Sequence, residues 1–333
     1  MTLSFRDHPP PGAIDRPAPA AARARWFTLL CLMLLHPVGL VAQNSPAHEK
    51  ADRRLQQQLD ALVKGFHGDA GIYVRHLRTG RSAAIRENEL FPTASMIKVP
   101  ILIAMHDAIK RGELAFNQQL LYRDSLLYEG DDILGSFRDS TGIALGRVLM
   151  LMITMSDNTA ALWNQRMAGS GTAINDWLSS HGFDSTRVNS RTPGRQGNWQ
   201  NYGWGQTTPR EMANLLVMIR ENRAVSPAAS EEMYRALTHI YWNGEALSQL
   251  PPWVQAASKQ GDVDQSRSEV VLVNAPSGDY VFCIITSHQV DESWEHDNEG
   301  WVLIRRLSAL LWKYFEPEHP WTAAPGAERL KPQ

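Results

Sequence analysis

The chain has 333 residues, 43% of them hydrophobic and 20% charged, with a formal net charge of −2. That balance excludes a wholly disordered chain and a polytopic membrane protein, and near-neutrality argues against a dedicated nucleic-acid binder. Two cysteines, Cys31 and Cys283, exclude a disulfide framework and any zinc site built on several thiolates.

Residues 1 to 25 are rich in Pro, Ala and Arg and carry no helical or strand period. Arg23 and Arg25 then precede an apolar run, Trp26 to Leu35, followed by Pro37, Gly39 and Leu40-Val41-Ala42-Gln43. A basic flank, a short apolar run, helix breakers and a small residue describe a signal peptide over residues 1–42, cleaved after Ala42 or Gln43. The run is shorter than the roughly 20 residues that span a bilayer. An uncleaved anchor is the alternative. The expected location is periplasmic or secreted, without a stable membrane span after processing. Cys283, then alone in an oxidising compartment, lies in the apolar run Tyr280 to Ile285, where a buried inert thiol is expected.

Leu55, Leu59, Leu62, Val63 and Phe66 recur at helical steps. Two β-like runs follow, Gly71 to Leu77 and Ser82 to Arg86, joined by Arg78-Thr79-Gly80-Arg81 as a hairpin. From Ser95 to about Met218 the periodic segments read as helices. One starts at the capping box Thr208-Pro209-Arg210-Glu211, with Met212, Leu215, Leu216 and Ile219 on its apolar face. Strand character returns at Trp253 to Ser258. A second hairpin, Glu269 to Val273 and Tyr280 to Thr286, and a helix, Val302 to Phe315, close the pattern.

The fold class expected is α/β of the α+β kind: an antiparallel sheet flanked by N- and C-terminal helices, with an inserted all-helical subdomain. The boundaries read as 46–94 and 225–316 for the sheet subdomain, 95–224 for the helical one, and 317–333 for a disordered Pro-rich tail.

Ser95-Met96-Ile97-Lys98 opens the helical block. One helical turn brings positions three apart onto one face, so the Ser95 hydroxyl and the Lys98 amine can meet. Backbone N–H groups at a helix start favour a developing alkoxide, and a lysine of lowered pKa can act as its base. Alone this is weak, since a chain this long holds roughly one such S-x-x-K by chance. Ser156-Asp157-Asn158 follows 61 residues later, after the apolar stretch Val148 to Met155. Lys259-Gln260-Gly261 stands at the end of the strand Val254 to Ser258. Taken singly, the second motif reads as a cap and turn and the third as a strand end.

Together and in this order, the three motifs resemble those of the penicillin-recognising serine enzymes, most closely the class A β-lactamases. The likeness extends to Ile153-Thr154-Met155 and to Thr207-Thr208-Pro209. It implies that Ser95 attacks an amide carbonyl and becomes acylated, with Lys98 taking its proton. Ser156 would relay a proton to the departing nitrogen. Asn158 would hold Lys98 and the substrate's side-chain amide, while Lys259 would attract the substrate carboxylate and help keep Lys98 neutral. The oxyanion hole would be the N–H of Ser95 and that of Asp262, the residue after Gly261. Asp157 would point away and brace its loop.

Two departures matter. Gln260 stands where typical members have Ser or Thr, so its longer side chain could crowd the pocket and weaken carboxylate binding. Residues 189–206, the loop where class A enzymes carry the glutamate that activates the deacylating water, contain no Asp or Glu. The nearest acids, Asp184 and Glu211, lie outside it. Amides there can position a water but cannot deprotonate it, so the acyl-enzyme should last longer. Arg191 and Arg195 lose their usual carboxylate braces, and Trp199, Tyr202 and Trp204 are expected to pack the loop rather than line a groove.

Asp291, Glu292, Glu295, His296, Asp297 and Glu299 read as a solvated loop favouring the next helix start, not as a metal site. Asp262-x-Asp264-x-Ser266 lacks the glycine and distal glutamate of a calcium loop. His106 is expected to be structural. The resulting expectation is a β-lactam-opening serine hydrolase, with a D-Ala-D-Ala peptidase or a non-turnover binder of penicillin or peptidoglycan as alternatives. Its substrate would be a small β-lactam or a cell-wall peptide, and it would act as a monomer with no cofactor.

Overall fold

The computed structural model describes residues 48–128 and 132–329, all within the compact unit Asn44–Gln333. The leader inferred over residues 1–42 lies outside them. Among the described residues no helix is long and apolar enough to cross a membrane.

Strand β1 (Lys50–Ala51) leads into α1 (Arg53–Val63), whose first turn is capped by Asp52 accepting from the Leu55 N–H at 3.1 Å. Such a cap is worth about 1 kcal/mol. The first hairpin is β2 (Asp69–His76) and β3 (Arg81–Ile85). Then come β4 (Phe91–Pro92), a 3₁₀ turn at Ala94–Ile97, and α2 (Lys98–Lys110). Strands β5 (Gln119–Leu121) and β6 (Gly142–Ala144) pair before α3 (Leu145–Thr154), α4 (Asn158–Met167) and α5 (Ser170–Ser180). After β7 (Arg187–Val188), α6 (Gln196–Tyr202) and β8 (Gly205–Thr207), α7 (Pro209–Arg220) starts at the expected box. There the Thr208 hydroxyl accepts from the Glu211 N–H at 3.2 Å. Helix α8 (Pro227–Leu237), strands β9 (Ala256–Val263), β10 (Ser266–Val273) and β11 (Tyr280–Ser287), and α9 (Glu299–Phe315) complete the order.

The main sheet runs β1-β3-β2-β11-β10-β9, antiparallel except for the β1–β3 pair. The two hairpins join where Ile72 pairs with Ile284, so the helical block is an insertion, as the sequence order required. Alternate strand residues feed two cores. Ile72, Val74, Val271, Phe282 and Ile284 meet Leu55 and Leu59 of α1 and Leu303, Ile304, Leu307 and Leu311 of α9. On the opposite face Val270, Leu272, Val281 and Ile285 join Met212, Leu215 and Leu216 of α7 and the interior of the helical block. Each such aliphatic side chain taken fully from water contributes about 1.5–3 kcal/mol. Cys283 is fully buried on β11, where burial raises its thiol pKa well above the usual value. His106 is buried against Phe116, and desolvation lowers its pKa to about 4.

Three expectations need correction. The strand expected at Trp253–Ser258 begins at Ala256 and runs on through Lys259-Gln260-Gly261, because Trp253 stands 73% exposed outside the sheet. The block expected to be helical also holds the short β5–β6 and β7–β8 pairs. Residues 317–329, expected as a disordered tail, follow α9 in a defined path: the Trp312 indole donates to the His319 carbonyl at 3.0 Å, and Trp321 packs on the sheet–helix core.

Candidate active site

Ser95 lies in the 3₁₀ turn that precedes α2, and Lys98 is the first residue of the α-helix. In a 3₁₀ turn positions i and i+3 eclipse, which aligns the two side chains more directly than an α-turn would. Lys98 Nζ is 2.8 Å from Ser95 Oγ. The turn is set by Ala94 at φ +42°, a left-handed conformation that costs a residue with a Cβ about 1 kcal/mol or more. Ser156 has φ +59°, between α3 and α4, and this bend turns both its carbonyl and its hydroxyl to Lys98. Lys98 thus meets Ser95 Oγ, Ser156 Oγ at 3.0 Å, Asn158 Oδ1 at 2.7 Å and the Ser156 carbonyl. A neutral amine has two N–H bonds and one lone pair, so with four oxygens around it one hydroxyl can donate to the nitrogen.

Burial, reinforced by the charge of Lys259, pushes the Lys98 pKa well below the usual lysine value, against the opposing pull of Asp132 and Asp157. Lys259 Nζ lies 3.0 Å from Ser156 Oγ, 3.1 Å from the Gln260 carbonyl and 3.3 Å from Gln260 Oε1. Burial lowers its pKa to about 7, with Asp262 and Glu269 resisting the shift. The three motifs noted in the sequence therefore converge on one cluster, with Ser156 Oγ between two amines.

Gly261 is pressed against the serine turn. A Cβ there would lie 2.4 Å from the Thr93 carbonyl and 2.8 Å from the Ser95 amide nitrogen, so only glycine fits without displacement. The Ser268 hydroxyl on β10 donates to the Gly261 carbonyl at 2.7 Å. Because the peptide is trans, the Asp262 N–H points the opposite way, off the open edge of β9.

Asp157 turns from the cleft, as expected: its carboxylate accepts from Ala160 N–H at 2.7 Å and Leu134 N–H at 2.8 Å. Asp132, not singled out in the sequence, accepts from Asn158 N–H at 2.9 Å and Thr159 N–H at 2.6 Å, fixing the start of α4. The acidic run 291–299 braces α9: Asp291 accepts from the N–H groups of Ser293 and Glu299 at 3.0 and 2.8 Å.

The cleft beside Ser95 has a volume of about 470 Å³. Its walls include Tyr128, Asn158, Asn201, Tyr202, Trp204 and Asp262. Tyr202 and Trp204 thus line the groove rather than only packing the loop, with Trp204 edge-on to Tyr128 at 5.1 Å; Trp199 is 45% exposed. Tyr128 escaped the sequence reading, since a tyrosine in a polar turn gives no signal of its neighbours. Within the loop, amide oxygens replace carboxylates. Arg195 donates to Asn189 Oδ1 at 2.8 Å and to Gln206 Oε1 at 2.8 Å, and Asn198 donates to Gln206 Oε1 at 2.9 Å. The flanking acids are occupied elsewhere. Glu211 accepts from the N–H groups of Ser185 and Thr186 at 3.0 and 2.7 Å, and Asp184 pairs with Arg187 at 3.5 Å.

The profile of the Beta-lactamase enzyme family matches residues 54–315, a span that holds all three motifs. The chain belongs to the β-lactamase enzyme family. Among curated relatives it is 20% identical over 272 residues to the β-lactamase VEB-1 of Pseudomonas aeruginosa, covering 78% of this chain and 90% of that protein. It is 24% identical to the β-lactamase AER-1 of Aeromonas hydrophila, covering 78% and 84% of the two chains. Among solved structures, PBP-A is similar with a TM-score of 0.73 and 27% identity, covering 82% of this chain and all of that one. A mutant of PBP-A, solved as an acyl-enzyme complex with penicillin-G, superposes with a TM-score of 0.72 and 27% identity over 81% of this chain and 99% of that one. Those solved structures share the mixed α/β architecture described above.

Proposed function

We propose that this chain is an exported serine hydrolase that β-lactams acylate at Ser95, with slow release of the acyl group. The observation that carries this reading is Ser95 Oγ at 2.8 Å from Lys98 Nζ, an amine whose pKa burial and Lys259 hold far below the ordinary range. A neutral amine at that distance takes the serine proton as Oγ bonds to the lactam carbonyl carbon. Negative charge on the carbonyl oxygen then falls between the N–H groups of Ser95 and Asp262. Ser156 Oγ, within reach of both lysines, gives its proton to the departing nitrogen as the C–N bond breaks and takes one back from Lys98, which returns to the neutral amine. Asn158 orients Lys98 through its Oδ1, and Lys259, held 3.0 Å from Ser156 Oγ, would attract the substrate carboxylate. The basic flank and apolar run at Arg23–Leu35 support export with removal of the leader.

Slow release follows from the acid-free loop. No carboxylate of residues 189–206 exists to deprotonate a water, and general-base help is worth about 100- to 10,000-fold. The same feature favours a second reading, a peptidase or acyl-transferring protein acting on D-Ala-D-Ala ends, in which an amine or a peptide removes the acyl group. Purified protein lacking residues 1–42 is mixed with a fluorescent penicillin and a chromogenic cephalosporin. A stoichiometric burst with a long-lived label is the expected result. Fast steady turnover would contradict slow release, and D-Ala freed from a peptide would favour the second reading.

A further inference from the structure

The loop that follows α8 reaches back to the end of α3. Its Tyr241 N–H donates to the Thr154 carbonyl at 2.9 Å, and the Trp242 indole N–H donates to the Met155 carbonyl at 2.8 Å. Carbonyls at the end of a helix have no partner within it, so these two are held from outside. Ser156 comes next, in its left-handed bend at φ +59°. We propose that Trp242 is a positioning residue for the reaction: by holding the Met155 carbonyl it holds the bend that presents the Ser156 hydroxyl to the departing nitrogen. The inference rests on the reading of Ser95 as nucleophile and of Ser156 as proton donor to the leaving group.

The Met155 carbonyl and the Ser156 nitrogen belong to one planar peptide unit, so fixing that carbonyl fixes the plane from which Ser156 turns. A serine carries a Cβ and gains nothing from a left-handed φ, so such a bend persists only where its surroundings impose it. Three contacts do so here. Trp242 grips the peptide before Ser156, Lys98 donates to the Ser156 carbonyl after it, and the Asp157 N–H returns to the Leu151 carbonyl at 3.1 Å. Lys98 gains and gives up a proton during the reaction, whereas the indole N–H keeps its own throughout. Trp242 is therefore the constraint on the side-chain level that stays constant while the proton moves.

Trp242 is itself anchored. Ile240 is buried in the core on the helical side of the sheet, the Trp242 ring packs against that same core, and Tyr241 stands edge-on to it at 5.0 Å. The ring also borders a small cavity of about 170 Å³ that it shares with Ser95 and Ser156. An indole has a single N–H, and here it goes to the Met155 carbonyl, so Trp242 acts on Ser156 through the backbone.

Trp242→Phe keeps an aromatic ring and removes the N–H. Wild type, Trp242→Phe, Ser156→Ala and the double variant, all lacking residues 1–42, are acylated with benzylpenicillin, and second-order rates are read from intact-mass time courses. Trp242→Phe is expected to be slower than wild type by about tenfold, inside the range a general acid supplies. Added to Ser156→Ala it should cost nothing further, because both changes remove the same proton transfer. A phenylacetylglycyl thioester is the second substrate. Its thiolate leaves with the bonding electron pair and needs no proton, so Trp242→Phe should stay within about twofold of wild type there. Labelling that runs to one group per chain shows that each variant is folded. A wild-type penicillin rate in Trp242→Phe, losses that multiply in the double variant, or an equal loss with the thioester overturns the inference while the labelling of Ser95 stands. A wild-type protein that penicillin leaves unlabelled defeats the reading of Ser95, and this inference with it.

Discussion

Gly261 has no side chain because the Ser95 backbone occupies the place where one would go: a Cβ there would stand 2.8 Å from the Ser95 amide nitrogen. The neighbouring obstruction, the Thr93 carbonyl, is main chain and cannot swing aside as a flexible side chain could. The edge of β9 and the serine turn therefore hold one another in register, and the two N–H groups of the proposed oxyanion site come one from each.

Gly261→Ala should separate the two. Loss of one oxyanion donor costs about 100- to 1,000-fold, so acylation by penicillin is expected to fall on that scale. Circular dichroism checks that the fold survives, since the clash is confined to one sheet edge. An unchanged acylation rate would mean that β9 does not set the oxyanion site.

Lys98 predicts a pH profile. The base must be neutral, and its pKa lies well below the ordinary lysine range, so acylation should rise with pH and level off far below that range. The Lys259 charge is one cause of the depression. Removing it in Lys259→Met raises the Lys98 pKa and moves the rising limb to higher pH. Acylation rates across pH, read with an uncharged penicillin ester, check the direction. A limb that stays fixed would show that Lys259 does not act on Lys98.

Asn201, on the acid-free loop, lines the same cleft as Ser95. Asn201→Glu should supply the missing base and shorten the lifetime of the penicilloyl adduct by about 100-fold or more, with acylation little changed. The adduct's decay, followed by mass spectrometry after dilution from excess drug, is the measurement.

A second titration lies behind the site. Glu269 accepts from the Ser258 hydroxyl at 2.5 Å and the Ala246 N–H at 2.9 Å, and burial with Glu245 nearby raises its pKa to about 8. The folded protein then binds more protons than the unfolded chain between the ordinary glutamate value and about pH 8, so stability falls as pH rises through that window. Lys259, lowered to about 7, contributes the opposite slope only above that pH. Glu269→Gln keeps an acceptor and removes the titration. Its melting temperature should decline less than wild type between pH 5 and about 7. Parallel declines would mean that Glu269 does not titrate in this range.

The site was legible in the sequence wherever chemistry follows from spacing along one element. Ser95 and Lys98 share a turn, and Asp157 caps α4 in the manner its neighbours suggest. The capping box at Thr208 and the β2–β3 hairpin were equally local. What escaped depends on segments distant in the chain. Glu245, Gln260 and Trp294, from three separate segments, border one cavity with Ser95. Tyr128 reaches Trp204 across the cleft, and Asp132 finds the N-terminus of α4 from a separate loop. The positive φ angles of Ala94 and Ser156 are imposed by packing, with no glycine to mark them. The start of β9 was misplaced because Trp253 looks strand-forming, yet it stands in solvent two residues after Pro251.

The account turns on Ser95. Protein lacking residues 1–42 is incubated with a molar excess of benzylpenicillin, digested, and the modified peptide sequenced by mass spectrometry, beside Ser95→Ala handled identically. The prediction is one penicilloyl group per chain, on Ser95, absent from the variant. An adduct on another residue, one that persists in Ser95→Ala, or an unlabelled wild-type protein would contradict it.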